Sequence, residues 1–487
     1  MLGIDVETTA LRPEEGKLRL VQISDGRWAE VYDAFHQEAE VIRRAVEARE
    51  ELVAHNAVFE RAWLNAALAL DRADLHDTMI MSQVYYTGTR AALKNSFSHS
   101  LAAVVQRELK RELSKDEQVS DWGAAALTRE QLEYAARDAA VLPELAATLM
   151  RKIERAGLKK VYELELRVSH AVAAMERYGV AVHRDRLEAM IEEATEEAER
   201  LKAELEEEWG INPGSGKQLI EHFNLEERKD WPKTKGGKPA TDQEAMKQLL
   251  ADEPSVEKWV RWKEIEKIRG TYGTSLLKVL TPEGRIHARF KPFGTATGRF
   301  SSSGPNLQNI PKRGERGERM RGLFWSGSDD RVLIKADYVS IELWVAAVLW
   351  EDQHMQYALR QGINMHVATA ASLFGVKPGE VTKEQKATGK IVNFALLYGG
   401  SPRRILQEFT KNGIPIDEAG AETMHRKFFE TPTTRASPSA RRRRGARPTT
   451  PRSIWARTTT RRAPRSGGGG TLRRSVWPAP KNHEIYG

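Results

Sequence analysis

Short apolar runs alternate with helix-length periods through residues 1–155: LGIDVE, RLVQIS, AEVYDA and LVAHNA read as strands, VIRRAVEAREE and REQLEYAARDAAVLPELAATLMRKI as helices. This pattern predicts one α/β domain. Between 160 and 210 the pattern turns helical, with ELELRVSHAVAAMERYG and then the charged RLEAMIEEATEEAERLKAELEEEW, which stops at the breaker cluster INPGSGKQ. The polar KTKGGKPATD reads as an exposed loop, followed by the helical VEKWVRWKEIEKIRGTYGTSLLKVL. Strand and turn signals return at GRIHARFKPFGTATGRF, and helical periods over 340–430 complete a second, larger domain. Beyond Thr431 no hydrophobic period continues. The expected organisation is therefore 1–155, 156–430 and a low-complexity, Arg-rich segment 431–487.

Composition sharpens this picture. A chain of 487 residues, 40% hydrophobic and 30% charged, is long enough for two or three cores. No apolar run reaches the ~18 residues of a membrane helix, and no basic, cleavable leader precedes the first strand, so a soluble, cytoplasmic protein is expected. Cysteine is absent, which excludes disulfides, thiolate metal sites and a Cys nucleophile. The net charge of +8 misleads: residues 431–487 hold 13 Arg and one Lys against one Glu, a net +13, which leaves −5 on the rest. Any nucleic-acid affinity of residues 1–430 must come from local patches.

Asp5 and Glu7 lie two apart in GIDVET, so on a strand both carboxylates face one side. Glu60 follows the apolar run ending in His55-Asn56, and Tyr134 and Asp138 are spaced i, i+4 on one helix face. Hard oxygen ligands of this kind suit Mg²⁺ or Mn²⁺, and two such ions can activate water and stabilise the leaving oxygen of a phosphodiester, with Tyr134 orienting the water. The order DxE, HNxxFx with an acid, then YxxxD resembles the proofreading 3′-to-5′ exonuclease domain of the ribonuclease H-like fold. Glu60 departs from it, because the family usually has Asp there.

Residues 295–311, TATGRFSSSGPNLQNIP, form a small-residue loop with polar side chains able to reach phosphates or groove acceptors. The apolar VLIKAD reads as a strand ending in Asp337 and running into a helix. In KATGKIVNFALLYGG, Lys386, Lys390, Phe394 and Tyr398 recur every four residues on one stripe of a helix, and two ammoniums beside an aromatic ring can meet a nucleoside triphosphate. All three stretches resemble the family A DNA polymerases of the bacterial DNA polymerase I group. With nothing ahead of Met1 for a 5′-nuclease domain, the likeness is to compact, phage-like members.

The resemblance implies DNA-directed DNA synthesis with 3′-5′ proofreading, an α/β exonuclease domain and an incomplete α+β polymerase domain with palm, thumb (helices over 183–280) and fingers. By it, Arg299, Asn306 and Gln308 contact primer and template DNA. Asp337 and the Tyr338 carbonyl bind the polymerase metals, and Glu342 crowds the sugar. His366, Lys386, Lys390, Phe394 and Tyr398 surround the incoming dNTP and template base. Three positions depart from the family: Ser340 and Trp344 replace Gln and Arg, and Lys386 replaces Arg. In this family the chain after the fingers delivers a His-Asp-Glu motif whose Asp is the second metal ligand, and 431–487 contains none. That segment reads as an aberrant, frameshifted and disordered end, with an authentic basic tail for nucleic acid as the rival reading. Polymerisation is then expected to be lost or weak while the exonuclease survives; the alternatives are a non-catalytic primer-end binder and a free-standing 3′-5′ nuclease. Whether a processivity factor joins it is not legible in the sequence.

Overall fold

The computed structural model describes residues 1–89, 97–113, 120–234, 236–295, 297–311, 314–397, 400–411 and 414–430. The segment 431–487, and with it the expectation of a disordered tail, lies outside the described residues, as does Tyr398.

Strand β1 (Leu2–Thr8) alternates as its sequence demands, burying Ile4 and Val6 on one face and turning Asp5 and Glu7 to the other. It lies mid-sheet between β2 (Leu18–Ser24), antiparallel to it, and β4 (Leu52–Ala54), parallel to it; β3 (Ala29–Asp33) and β5 (His76–Asp77) form the edges. Helices α1 (Ala39–Glu47) and α2 (Ala57–Leu68) cover the Ile4 and Val6 face with Ile42, Val46, Trp63 and Leu64. The other layer holds α3 (Thr78–Tyr86), α4 (Leu101–Leu109), α5 (Arg129–Arg155) and α6 (Lys159–Tyr178).

Helix α5 starts at a capping box: Thr128 Oγ1 accepts from Gln131 N at 3.2 Å, and Gln131 Oε1 accepts from Thr128 N at 2.8 Å. Pro143 within it has no N–H to donate to the Ala139 carbonyl four residues back. That carbonyl sits against Gly3 of β1, where a Cβ would collide with its oxygen. Proline on the helix and glycine on the strand thus let the two backbones meet one residue from Asp138. Helix α6 completes the same core: Tyr162 is fully buried and its hydroxyl is 2.8 Å from His76 Nδ1.

After α6 come β6 (Val180–Val182) and the long α7 (Arg184–Trp209), whose buried stripe from Ala194 to Trp209 packs with α8 (Gly216–His222), α9 (Gln243–Met246) and α10 (Ser255–Lys267) around Trp259 and Trp262. The charged residues of α7 stay outside, as with Glu193 and Arg319 at 2.7 Å. After α11 (Ser275–Lys278) come β7 (Arg285–Ile286), β8 (Arg289–Lys291), β9 (Ser301–Ser303), α12 (Gly314–Arg321) and β10 (Phe324–Trp325). β6 lies between β10 and β7, and β8 pairs with β9. Helices α13 (Ile341–Leu349), α14 (Gln353–Arg360), α15 (Met365–Phe374), α16 (Lys383–Leu397), α17 (Pro402–Lys411) and α18 (Glu418–Glu430) close the described chain.

One expected element is missing. Residues 332–337 have no regular secondary structure and belong to no sheet, and Val332, Leu333 and Ile334 face solvent. Apolar alternation marks a segment able to pair, but a strand exists only where a neighbour supplies the ladder, and no strand among the described residues runs beside this one.

Candidate active site

The first constellation assembles on the α5 side of the sheet. Burial lifts the Asp5 carboxyl well above its ordinary value, and the charge of Asp138 lifts it further. Glu7 is pushed up to about 9 by burial and by Asp5 and Asp138. Asp138 rises to about 6 through burial, held back by a hydrogen bond from Tyr134 and by Arg137. Glu60, in the first turn of α2, is raised by burial and then by Asp5 and Asp77, and its Oε2 is a buried oxygen without a hydrogen-bond partner among the described residues. Tyr134 is buried and bonded to Asp138, and burial with that neighbouring charge raises its phenol above 10, so it remains a proton donor.

The structure thus brings Asp5, Glu7, Glu60, Tyr134 and Asp138 into one electrostatic unit. Among the described residues no three His, Asp or Glu side chains are drawn in tightly enough to hold an ion as they stand. The donor set nevertheless fits a divalent cation: burial raises all four carboxylates, the charges of Asp5 and Asp138 add to it at their neighbours, and one oxygen is buried with no hydrogen-bond partner among the described residues.

Three residues outside the expected ligand set hold this unit together. The Asp77 carboxylate accepts from Asn56 N (3.1 Å), Ala57 N (2.8 Å) and Met79 N (2.8 Å), clamping the starts of α2 and α3. Asn56 takes the left-handed conformation (φ 79°) that turns the chain from β4 into α2. Arg61, buried beside Glu60, donates to the Arg72 carbonyl (3.0 Å), the Leu75 carbonyl (2.6 Å) and Ser169 Oγ (2.7 Å).

A second cluster of side chains forms where α16 crosses α15. Gly389 permits the crossing, since a Cβ there would collide with the His366 carbonyl oxygen. The His366 ring lies 5.7 Å from that of Phe394, and Lys390 Nζ is 5.9 Å from the Phe394 centroid. Burial, then Lys390 and Lys386, hold His366 below its ordinary value. Asn393, buried and not anticipated, donates from Nδ2 to His366 Nδ1 (3.0 Å) and the Met365 carbonyl (3.2 Å) and accepts from Thr369 Oγ1 (2.9 Å). His366, Lys386, Lys390 and Phe394 therefore share one site.

The family model for DNA polymerase family A matches residues 184–437, and that for a 3′-5′ exonuclease matches residues 1–154. The DNA polymerase I of Aquifex aeolicus is 31% identical over 450 residues, covering 88% of this chain and 74% of that protein. The chain belongs to DNA polymerase family A. The thermostable DNA polymerase I of Thermus filiformis is 36% identical over 311 residues, or 62% of this chain; the chain spans 36% of that relative and 30% of the DNA polymerase I of Treponema pallidum. The polymerase domain of Pol1 from M. smegmatis, solved with DNA primer-template and dNTP, superposes with a TM-score of 0.72 at 25% identity, covering 88% of this chain and 72% of that one.

In this family A polymerase the remaining expected site residues are not gathered. Asp337 and Tyr338 sit in the exposed, unpaired stretch. Arg299 Nη2 lies 3.3 Å from Glu342 Oε1, tying the 295–311 loop to α13. Asn306 Oδ1 accepts from Gln308 N at 3.1 Å, a local cap of the short turn Leu307–Asn309. No helix among the described residues is long and apolar enough to cross a membrane.

Proposed function

We propose that this chain removes nucleotides from DNA 3′ ends by metal-dependent hydrolysis at the Asp5, Glu7, Glu60 and Asp138 carboxylates, within a polymerase body that binds primer-template and dNTP but extends primers weakly. The observation that carries the reading is the set of buried carboxylates, all raised by burial and Asp5 and Glu7 further by their acidic neighbours, with Tyr134 bonded to Asp138. The carboxylates would hold Mg²⁺ or Mn²⁺, which when bound supplies an activated water and neutralises charge on the leaving oxygen. The chain's own residues do the rest. The sheet fixes Asp5 and Glu7 on one face, α5 delivers Asp138, and the Tyr134 phenol, kept protonated, donates to Asp138 and so orients it, leaving its oxygen free to accept from the attacking water.

On the polymerase side, the Lys386 and Lys390 ammoniums suit a triphosphate, and Phe394 with His366 forms a wall for the sugar and base. Arg299, Asn306 and Gln308 lie on a loop suited to the duplex. We expect weak synthesis because Asp337 stands exposed on a segment that no strand among the described residues pairs. A 5′-labelled primer on a longer template, with Mg²⁺ and all four dNTPs, tests both parts on a denaturing gel. The expected product is a shortened primer, abolished by Asp5→Ala. Efficient extension would refute the weak-synthesis reading, and binding with no metal-dependent product would refute the hydrolytic one.

A further inference from the structure

The hairpin of β8 and β9 is clasped to the loop that leaves the carboxylate strand β1. Its strands pair Arg289 with Ser303, so Arg289 and Gly304 sit side by side at its open end. Arg12 Nη2 donates to the Gly304 carbonyl at 2.8 Å, and Arg289 Nη2 donates to the Leu11 carbonyl at 2.9 Å. Each side sends an arginine to the other's backbone. Helix α6 holds the same end of the hairpin: the Glu176 carboxylate accepts from Phe290 N, and His287 Nδ1 lies 2.9 Å from the Glu176 carbonyl oxygen. Farther along, Phe293 packs against the core that contains Leu142 and Leu145 of α5, the helix that carries Tyr134 and Asp138.

These contacts join two chemistries that lie far apart in the sequence, since Arg12 and Gly304 are separated by 292 positions. Leu11 is four residues from Glu7, and Gly304 is two residues from Asn306. By chain length alone the clasp is at most about 14 Å from the carboxylate strand and at most about 7 Å from the stretch suited to the duplex. Both arginine bonds lie at the surface, so losing one loosens the seam without opening a core. A duplex gripped at a set distance from the carboxylates keeps its 3′ end at high effective concentration there, and a free single strand gains nothing from the grip.

We propose that Arg12 and Arg289 are positioning residues for the hydrolysis of template-held primers: by clasping the hairpin to the loop after β1, they fix the duplex-gripping stretch relative to Asp5 and Glu7 and so deliver a frayed 3′ end to them. This role rests on the hydrolytic and duplex-binding reading above.

The full chain and its Arg12→Ala, Arg289→Ala and doubly substituted variants are compared in Mg²⁺, without dNTPs. The substrates are a 5′-labelled single strand and the same strand annealed to a longer template with a mispaired 3′ end. Either single change is expected to lower kcat on the annealed primer roughly fivefold, and the double change further. KM on that primer, and both constants on the single strand, should stay at the parent's values. Arg12→Lys, which keeps a charged donor at that position, should retain most of the parent's kcat. An equal fall on both substrates, or a double variant with the parent's kcat on the annealed primer, would overturn this role for the clasp alone. A parent chain inactive on both substrates would overturn the hydrolytic reading itself, and the clasp's role with it.

Discussion

Replacing Gly3 with Ala is expected to disable hydrolysis without unfolding the protein. The added Cβ would run into the Ala139 carbonyl oxygen and stand 3.1 Å from Leu142 Cβ. Neither obstacle is the tip of a flexible side chain; both belong to α5, at the point where Pro143 leaves that carbonyl without its helical donor. Restoring an ordinary carbon–oxygen contact takes a displacement on the order of 1 Å between β1 and α5. Asp5 lies two residues from Gly3 and Asp138 adjoins Ala139, so the displacement falls between two of the carboxylates. Overpacking of this kind costs about 1–3 kcal/mol of stability. A ~1 Å misplacement of reacting groups costs on the order of 100-fold in rate. The assay is degradation of a 5′-labelled single strand in Mg²⁺ beside a thermal melt. Gly270→Ala is the internal control, because no heavy atom lies within 4 Å of its Cβ position; it is expected to move stability by no more than about 0.5 kcal/mol and the rate not at all. A Gly3→Ala protein with the parent's rate and melting temperature would refute the argument that this close approach positions the site.

Without metal, Asp138 and Glu7 stand above their ordinary 3.8 and 4.5, at about 6 and about 9, so each favours the fold when protonated. That contribution is complete below the ordinary values and is lost as pH rises toward 9; the metal-free melting temperature should therefore fall across this window, and Mn²⁺ should flatten the fall. A metal-free melting temperature that holds or rises from pH 5 to 9 would contradict this. Tyr134→Phe removes the hydrogen bond that lowers Asp138; hydrolysis should slow about 10- to 100-fold, with the pH–rate profile moved to higher pH. Asn393→Leu strands the partners of a buried amide, the Thr369 hydroxyl, the Met365 carbonyl and His366 Nδ1. It should cost about 1–3 kcal/mol and weaken dNTP binding, read by fluorescent-nucleotide titration, with strand degradation unchanged.

What the sequence made legible are features encoded within one element. Period two on β1 placed Asp5 with Glu7, and the i, i+4 spacing placed Tyr134 with Asp138. The four-residue repeat placed Lys386, Lys390 and Phe394 on one stripe of α16. Residues that act across long sequence separations left little signal. Arg61 reads as one more helix charge until Ser169 and the Leu75 carbonyl arrive around it, and Asp77 becomes a clamp only when β4 and β5 pair. Gly389 was the nearest to a signal, a glycine inside a helical period, which often marks a close crossing. The misread strand at 332–337 has the converse cause: its alternation describes the segment's readiness to pair, while a ladder is a property of two segments.

The burial of Tyr162 bears on where this molecule can be divided. The turn around Gly157 and Leu158, between α5 and α6, looks like a natural cutting point, yet α6 carries Tyr162 into the first core and presents Ser169 to Arg61. A fragment ended at that turn would lack the cover over His76 and leave the Arg61 guanidinium short of a partner beside Glu60. Recombinant fragments or protease products that keep the nuclease in working order should therefore extend through α6 to about Tyr178, and ones stopped near Arg155 should be recovered as insoluble or degraded chains.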